Sequence, residues 1–131
     1  MTDRCFVRRA ALAALVAVVW IAGGACRPDA HDLFEESLGH LERAAAILEQ
    51  NHGDEAAATA ALDAYIEEQR DELLRLRREG GDRLAQLPPE ERAALGAEAK
   101  ARTEQVLTRI MNAARGYPNP SALLVRIRKL Q

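Results

Sequence analysis

Three histidines fall within a short stretch of the chain, His31, His40 and His52, and two of them have a glutamate four residues away: His31 with Glu35, and His40 with Glu36. Residues four apart share one face of a helix. Each pair could therefore offer an imidazole and a carboxylate to a metal ion, and His31, Glu35, Glu36 and His40 form a candidate metal-sensing set. Di-metal carboxylate bundles use a different pattern, Glu-x-x-His at three-residue spacing answered by glutamates on other helices, and it is absent here. No Cys-x-x-Cys-His string occurs that could attach haem. Ser37 and Ser121 lack the histidine-and-acid arrangement that activates a nucleophile. The expectation is a protein that is not an enzyme, with no catalytic residue, no metal site and no cofactor. Its histidines would be solvated or capping helix ends. Arg126, Arg128 and Lys129 make a small basic group near the C-terminus, which suits the negative end of a final helix. The same group could also touch an anionic membrane surface or envelope polymer.

The remaining reactive side chains are Cys5 and Cys26. A disulfide between them would only join the two ends of an apolar stretch. Met1–Arg9 is polar and basic, Ala10–Ala22 is an unbroken apolar run, and Gly23-Gly24-Ala25 precedes Cys26. A charged start, a short apolar core and small residues make the layout of a secretory signal. The arginines stay on the cytoplasmic side, the apolar core enters the translocase and bilayer, and the small residues admit a peptidase. With a cysteine directly after the small residues, the segment resembles a bacterial lipoprotein signal peptide, although Gly23 stands where that family usually carries Leu. The resemblance covers residues 1–26 and implies lipidation of Cys26 and removal of residues 1–25. A plain cleaved signal and an uncleaved anchor stay open as alternatives. The apolar core of about 13 residues is short against the roughly 20 that a spanning helix needs. All three readings place the rest of the chain outside the cytoplasm. In lipoprotein families of two-membrane bacteria an Asp after the cysteine retains the protein at the inner membrane. Arg27 at that position implies the outer membrane, with the body facing the periplasm.

The body must position whatever acts there. Hydrophobic residues make up 48% of the chain but aromatic ones only 4%, so the apolar content is mostly Ala and Leu, which favour helix over strand. The formal net charge is −2; residues 1–25 hold Arg4, Arg8 and Arg9 against Asp3, leaving −4 for the rest. A mildly acidic body of mixed sign gives no reason to expect nucleic-acid binding, which shows as a concentrated basic patch.

After a tether over residues 26–30, the spacing predicts a first helix from about His31 to Gln50, with Phe34, Leu38, Leu41, Ala45 and Leu48 on one stripe. Asn51-His52-Gly53 suits a left-handed cap. Asp54 is expected to cap one longer second helix carrying Leu62, Ile66, Gln69, Leu73 and Leu76, with Ala58, Tyr65 and Leu74 widening the stripe, supported by an Asp71–Arg75 pair and stopped or kinked at Gly80-Gly81, with Asp82–Leu87 as a further turn. Pro88-Pro89-Glu90-Glu91 starts a third helix that runs to about Ala114, with Leu95, Ala99, Val106, Ile110 and Ala113/Ala114 inward. Gly116-Tyr117-Pro118-Asn119-Pro120 breaks it, and Ser121 is expected to cap a short last helix over Ala122–Lys129. The expectation is an all-α fold. It is a small antiparallel bundle of three main helices plus a short C-terminal one, over residues 31–131, behind an N-terminal signal or anchor helix.

Leu87-Pro88-Pro89-Glu90-Glu91-Arg92 resembles the Leu-Thr-x-x-Gln helix start of small periplasmic helical chaperones and metal-stress proteins, with Pro88 in place of the Thr and Glu91 in place of the Gln. That resemblance implies a helical hairpin that binds unfolded clients or metal. The leading expectation is an envelope protein tethered by lipid at Cys26. It would act by protein binding or in a structural or adaptor role, with a protein partner or self-association covering an exposed stripe of a marginal core.

Overall fold

A computed structural model describes residues 27–131, and all regular structure among them is helical. The signal or anchor helix expected over residues 1–25, and Cys26 itself, lie outside the described residues. Five α-helices follow one another: α1 Ala30–Gln50, α2 Glu55–Glu68, α3 Arg70–Gln86, α4 Pro89–Ala114 and α5 Pro120–Ile127, closed by a 3₁₀ turn over Arg128–Leu130. None of them is long and apolar enough to cross a membrane.

Local chemistry explains most boundaries. Asp29 and Asp32 form a reciprocal capping box at the start of α1: the Asp32 amide donates to the Asp29 carboxylate at 2.8 Å, and the Asp29 amide to Asp32 at 3.3 Å. The other end of α1 is closed by the Asn51 side chain, which donates to the Ile47 carbonyl at 2.8 Å. Gly53 then turns the chain at φ +76°, a conformation that costs glycine no steric strain. Asp54 accepts the Ala57 amide at 3.0 Å and caps α2 as expected. Pro89 occupies the first turn of α4, where its missing N–H is no loss.

Three expectations are corrected. The single second helix is two helices, so four main helices precede the short last one. The break is at Gln69, whose backbone sits at φ −94°, ψ 6°, although the bonds from its amide to Tyr65 and from Leu73 to its carbonyl persist. Asp71 and Glu72 favour a new helix start there by interacting with its positive end. The bend lets α2 lie on α5 while α3 lies on α1. Gly80-Gly81 does not stop the helix, which continues to Gln86. The effective stop is Pro88, which forces Leu87 to an extended ψ of 145°. Finally, Ser121 is inside α5 and caps nothing; the cap position belongs to Asn119, with Pro120 in the first turn.

The side-chain pairings give the sense of each helix. Glu36–Arg75 and His40–Tyr65 run antiparallel between α1 and the α2–α3 arm, whereas His31–Glu98 and Glu49–Arg109 run parallel between α1 and α4. α1 is the central rod of the bundle, packed against α2, α3, α4 and the closing 3₁₀ turn. At the end far from the tether, Leu48, Leu62, Ile110 and Leu123 are fully buried. Each Leu-sized side chain withdrawn from water there contributes roughly 1.5–3 kcal/mol. Tyr117 completes this core, its hydroxyl donating to the carbonyls of Leu48 at 2.5 Å and Asn51 at 2.9 Å. At the tether end the hairpin between α3 and α4 is held by Arg92, whose guanidinium donates to the carbonyls of Leu84, Ala85 and Leu87. Leu84 and Ala85 lie in the last turn of α3 and Leu87 just beyond it, and the Leu84 carbonyl also accepts the Leu87 amide.

Candidate functional site

The four residues of the candidate metal set are divided between two faces of α1. His31 and Glu35 face α4, where Glu98 joins them; one ligand atom from each of the three falls within 4.8 Å of the others. Arg102 already serves this group. Its guanidinium is paired with both oxygens of Glu35 and lies 3.5 Å from Glu98, and it also stacks 5.4 Å from the centre of the Phe34 ring. A cation entering between the carboxylates would have to displace Arg102 at a cost in like-charge repulsion. As it stands, the trio binds an arginine at a partly exposed surface.

Glu36 and His40 face the α2–α3 arm. Arg75 is shared among Glu72, Glu79 and Glu36, the last at 2.6 Å, so it pairs with these three and not with Asp71 as expected. His40 is buried, and its Nδ1 is 2.6 Å from the Tyr65 hydroxyl. Burial lowers the His40 pKa, and the negative charges of Glu72 and Glu36 only partly oppose this. The same burial raises the pKa of Tyr65. This histidine is thus an interior polar group with a partner, and it joins three helices near the Gln69 bend. Only its place on the same stripe as Leu33, Ala44 and Ile47 could have revealed it as buried. His52 is exposed and packs beside Gly116, where an added Cβ would come within 3.2 Å of the imidazole.

The other candidates are accounted for locally. Ser37 donates to the Leu33 carbonyl at 2.9 Å, a bond within its own helix. Arg126 pairs with Asp63 on α2 at 2.9 Å, and Arg128 and Lys129 remain exposed. Arg126 and Lys129 line one surface pocket with Arg70, where Asp63 and Glu67 offset their charge.

What sequence reasoning missed is a concavity. α3 and α4 stand on either side of the first turns of α1 and leave a groove between them. Leu33, Phe34 and Ser37 form its floor, Gly80 and Leu84 one wall, and Leu95, Gly96 and Ala99 the other. Its volume is about 180 Å³, and it begins at Ala30, the first residue of α1. No ionisable side chain lines it, and the Ser37 hydroxyl is occupied by its own helix. From Arg77 to Gln105 no residue is buried, and Leu84 is 39% exposed. The only sequence signal was the alanine- and glycine-rich first half of α4, too small in side-chain volume to close the gap.

No protein-family model matches this chain, and no curated protein or solved structure is similar to it at a significant level.

Proposed function

We propose that this chain is a non-enzymatic, lipid-anchored protein of the bacterial cell envelope, acting by binding through a helix surface. Residues 1–25 serve as a signal peptide, Cys26 carries the lipid, and the body faces the periplasm from the outer membrane. Two or more acyl chains on one cysteine meet the requirement for stable anchoring. The observation that carries this reading is the position of the first described helix. Only Arg27, Pro28 and Asp29 separate Cys26 from a firmly capped helix, so the described bundle hangs directly from the proposed lipid site. The interior supports binding over catalysis. Its buried polar groups, His40 and the Tyr117 hydroxyl, are spent on Tyr65 and on backbone carbonyls, and neither lines the groove.

The test is metabolic labelling with palmitate in a bacterial host, followed by intact-mass measurement of the membrane-bound protein. Label on the wild-type chain and none on Cys26→Ala is expected. Label that persists in Cys26→Ala, or an intact unmodified chain recovered from the cytosol, overturns the anchor.

One observation favours a second reading, a periplasmic chaperone of the helical-hairpin type: α3 and α4 form a hairpin whose inner faces carry uncovered apolar side chains. Suppression of client aggregation at molar excess supports that reading, and its absence removes it. The metal-stress variant of the same reading is opposed by the seat of Arg102 between Glu35 and Glu98.

A further inference from the structure

We infer that His40 is a pH-sensitive latch on the bend at Gln69: while neutral it ties the end of α2 to α1 through Tyr65, and on taking up a proton it lets that end lift away. The device depends neither on the anchor nor on the groove.

Three observations converge on it. The first is how lightly the bend is held. From Asp63 to Glu72 no residue is buried, with buried Leu62 before this stretch and buried Leu73 after it. The Gln69 backbone departs from helical geometry, and its side chain does not cap α3. Segments with few buried contacts open locally at less cost than the whole fold.

The second is the polar tie across this stretch. Tyr65 stands four residues before the bend, and its hydroxyl is 2.6 Å from Nδ1 of the buried His40, with the two ring centres 5.8 Å apart. That distance is shorter than N–H···O bonds run and within the range of a hydroxyl donor. Tyr65 therefore donates and Nδ1 accepts, which leaves the ring proton of neutral His40 on Nε2.

The third is what a second proton does there. Protonated imidazole has two donors and no acceptor, so Nδ1 can no longer take the Tyr65 hydrogen. The charges acting on His40 are Glu36 of α1 and Glu72 of α3, both paired with Arg75 of α3. Among the described residues α4 and α5 add none. On the α2 side, Glu68 and the α1 residue Arg43 act on Tyr65 in opposite senses. The cation is thus drawn to α1 and α3 and not to α2. Burial opposes the charged ring more strongly than the two carboxylates favour it. Lifting the end of α2 readmits water to the ring and relieves that opposition, so acid favours the open form.

The experiment measures amide hydrogen exchange of the full chain in detergent at pH 7.5 and 5.5, corrected for the intrinsic pH dependence of exchange. Peptides covering residues 63–72 should lose protection at pH 5.5 by about threefold or more relative to peptides covering Leu48 and Ile110. His40→Gln, which offers Tyr65 an acceptor that does not titrate, should abolish the difference. Tyr65→Phe should exchange faster over the same residues already at pH 7.5. Protection of the Leu48 and Ile110 peptides reports that each variant is folded. A nitrogen NMR spectrum of the wild-type imidazole at pH 7.5 should show Nδ1 without a proton, which tests the latch with no variant at all. Unchanged protection over residues 63–72, or an equal loss in the far core, overturns the latch. So does a pH difference that survives in His40→Gln, protection unaltered in Tyr65→Phe, or a proton on Nδ1 of the neutral ring.

Discussion

At the end of the bundle far from the tether, Leu48, Leu62, Ile110 and Leu123 are at most 1% exposed, and Tyr117 seals the last turn of α1. At the tether end the same α1 is flanked by helices that bury nothing between Arg77 and Gln105. Both ends are helical and both are flanked by charge. The difference is in side-chain volume. Around the second half of α1, Leu62, Ile110, Tyr117 and Leu123 belong to one buried cluster and close on one another. Beside its first turns, Gly80, Gly96 and Ala99 stand among Leu84 and Leu95 and leave a gap. Ion pairs bridge that weaker end, Glu35 with Arg102 and Glu36 with Arg75. Partly exposed pairs of this kind contribute about 0–1 kcal/mol each, so they orient α3 and α4 about α1 without replacing a core. The far end holds most of the fully buried side chains, and the tether end adds only Leu33 to them.

Substitutions can break or sharpen this contrast. The largest loss is expected for Leu48→Ala, which opens a cavity in the far core: about 2–5 kcal/mol by urea denaturation at an unchanged slope. A loss below about 1 kcal/mol would mean that the core is not centred there. Tyr117→Phe should cost roughly 1–3 kcal/mol, because it leaves two part-buried carbonyls of α1 short of a donor.

A smaller effect is expected from pH, at the boundary between the two ends. His40 is faced by Glu36 from α1, Tyr65 from α2 and Glu72 from α3, and burial holds its folded-state pKa below the ordinary 6.5. The unfolded chain then binds the proton first as pH falls, so the stability present above about 6.5 is lost progressively below it. The melting temperature should drop between pH 7.5 and 5.5, and His40→Gln, which retains a partner for Tyr65, should remove that part of the drop.

At the tether end the effects should be small and of either sign. Leu84→Ala removes a side chain already 39% exposed and should cost less than about 1 kcal/mol. Gly96→Ala should stabilise α4 by roughly 0.5–1 kcal/mol, since the added methyl has open space and alanine favours helix. A strongly destabilised Leu84→Ala would erase the distinction between the two ends.

Much of the far end was legible in the sequence because its signals are local. The stripe Phe34, Leu38, Leu41, Ala45 and Leu48 is periodic, Asp54 caps, and Pro89 starts a helix; each acts within one or two turns. What was not legible depends on tertiary partners. The bend at Gln69 involves neither Gly nor Pro. It is paired with the need of α2 and α3 to lie on different neighbours, and only the acidic pair Asp71-Glu72 marked it in advance. Gly80-Gly81 read as a stop because glycine is costly in a helix, yet a cost of roughly 1 kcal/mol each does not end one that Pro88 ends a turn and a half later. The burial of His40 and the choice of Glu72, Glu79 and Glu36 as partners of Arg75 are properties of the assembled bundle. The groove is an absence of side chains, and an absence carries no periodicity.

Arg92 also bears on how the tether end can move. By clasping three carbonyls at the close of α3 from the first turn of α4, it makes the corner at Pro88 a stiff elbow. Any widening or narrowing of the space beside α1 must then be taken up at the shoulder, Gln69, where the backbone departs from helical geometry. The arm from Arg70 to the elbow would swing as one rigid lever and take the start of α4 with it.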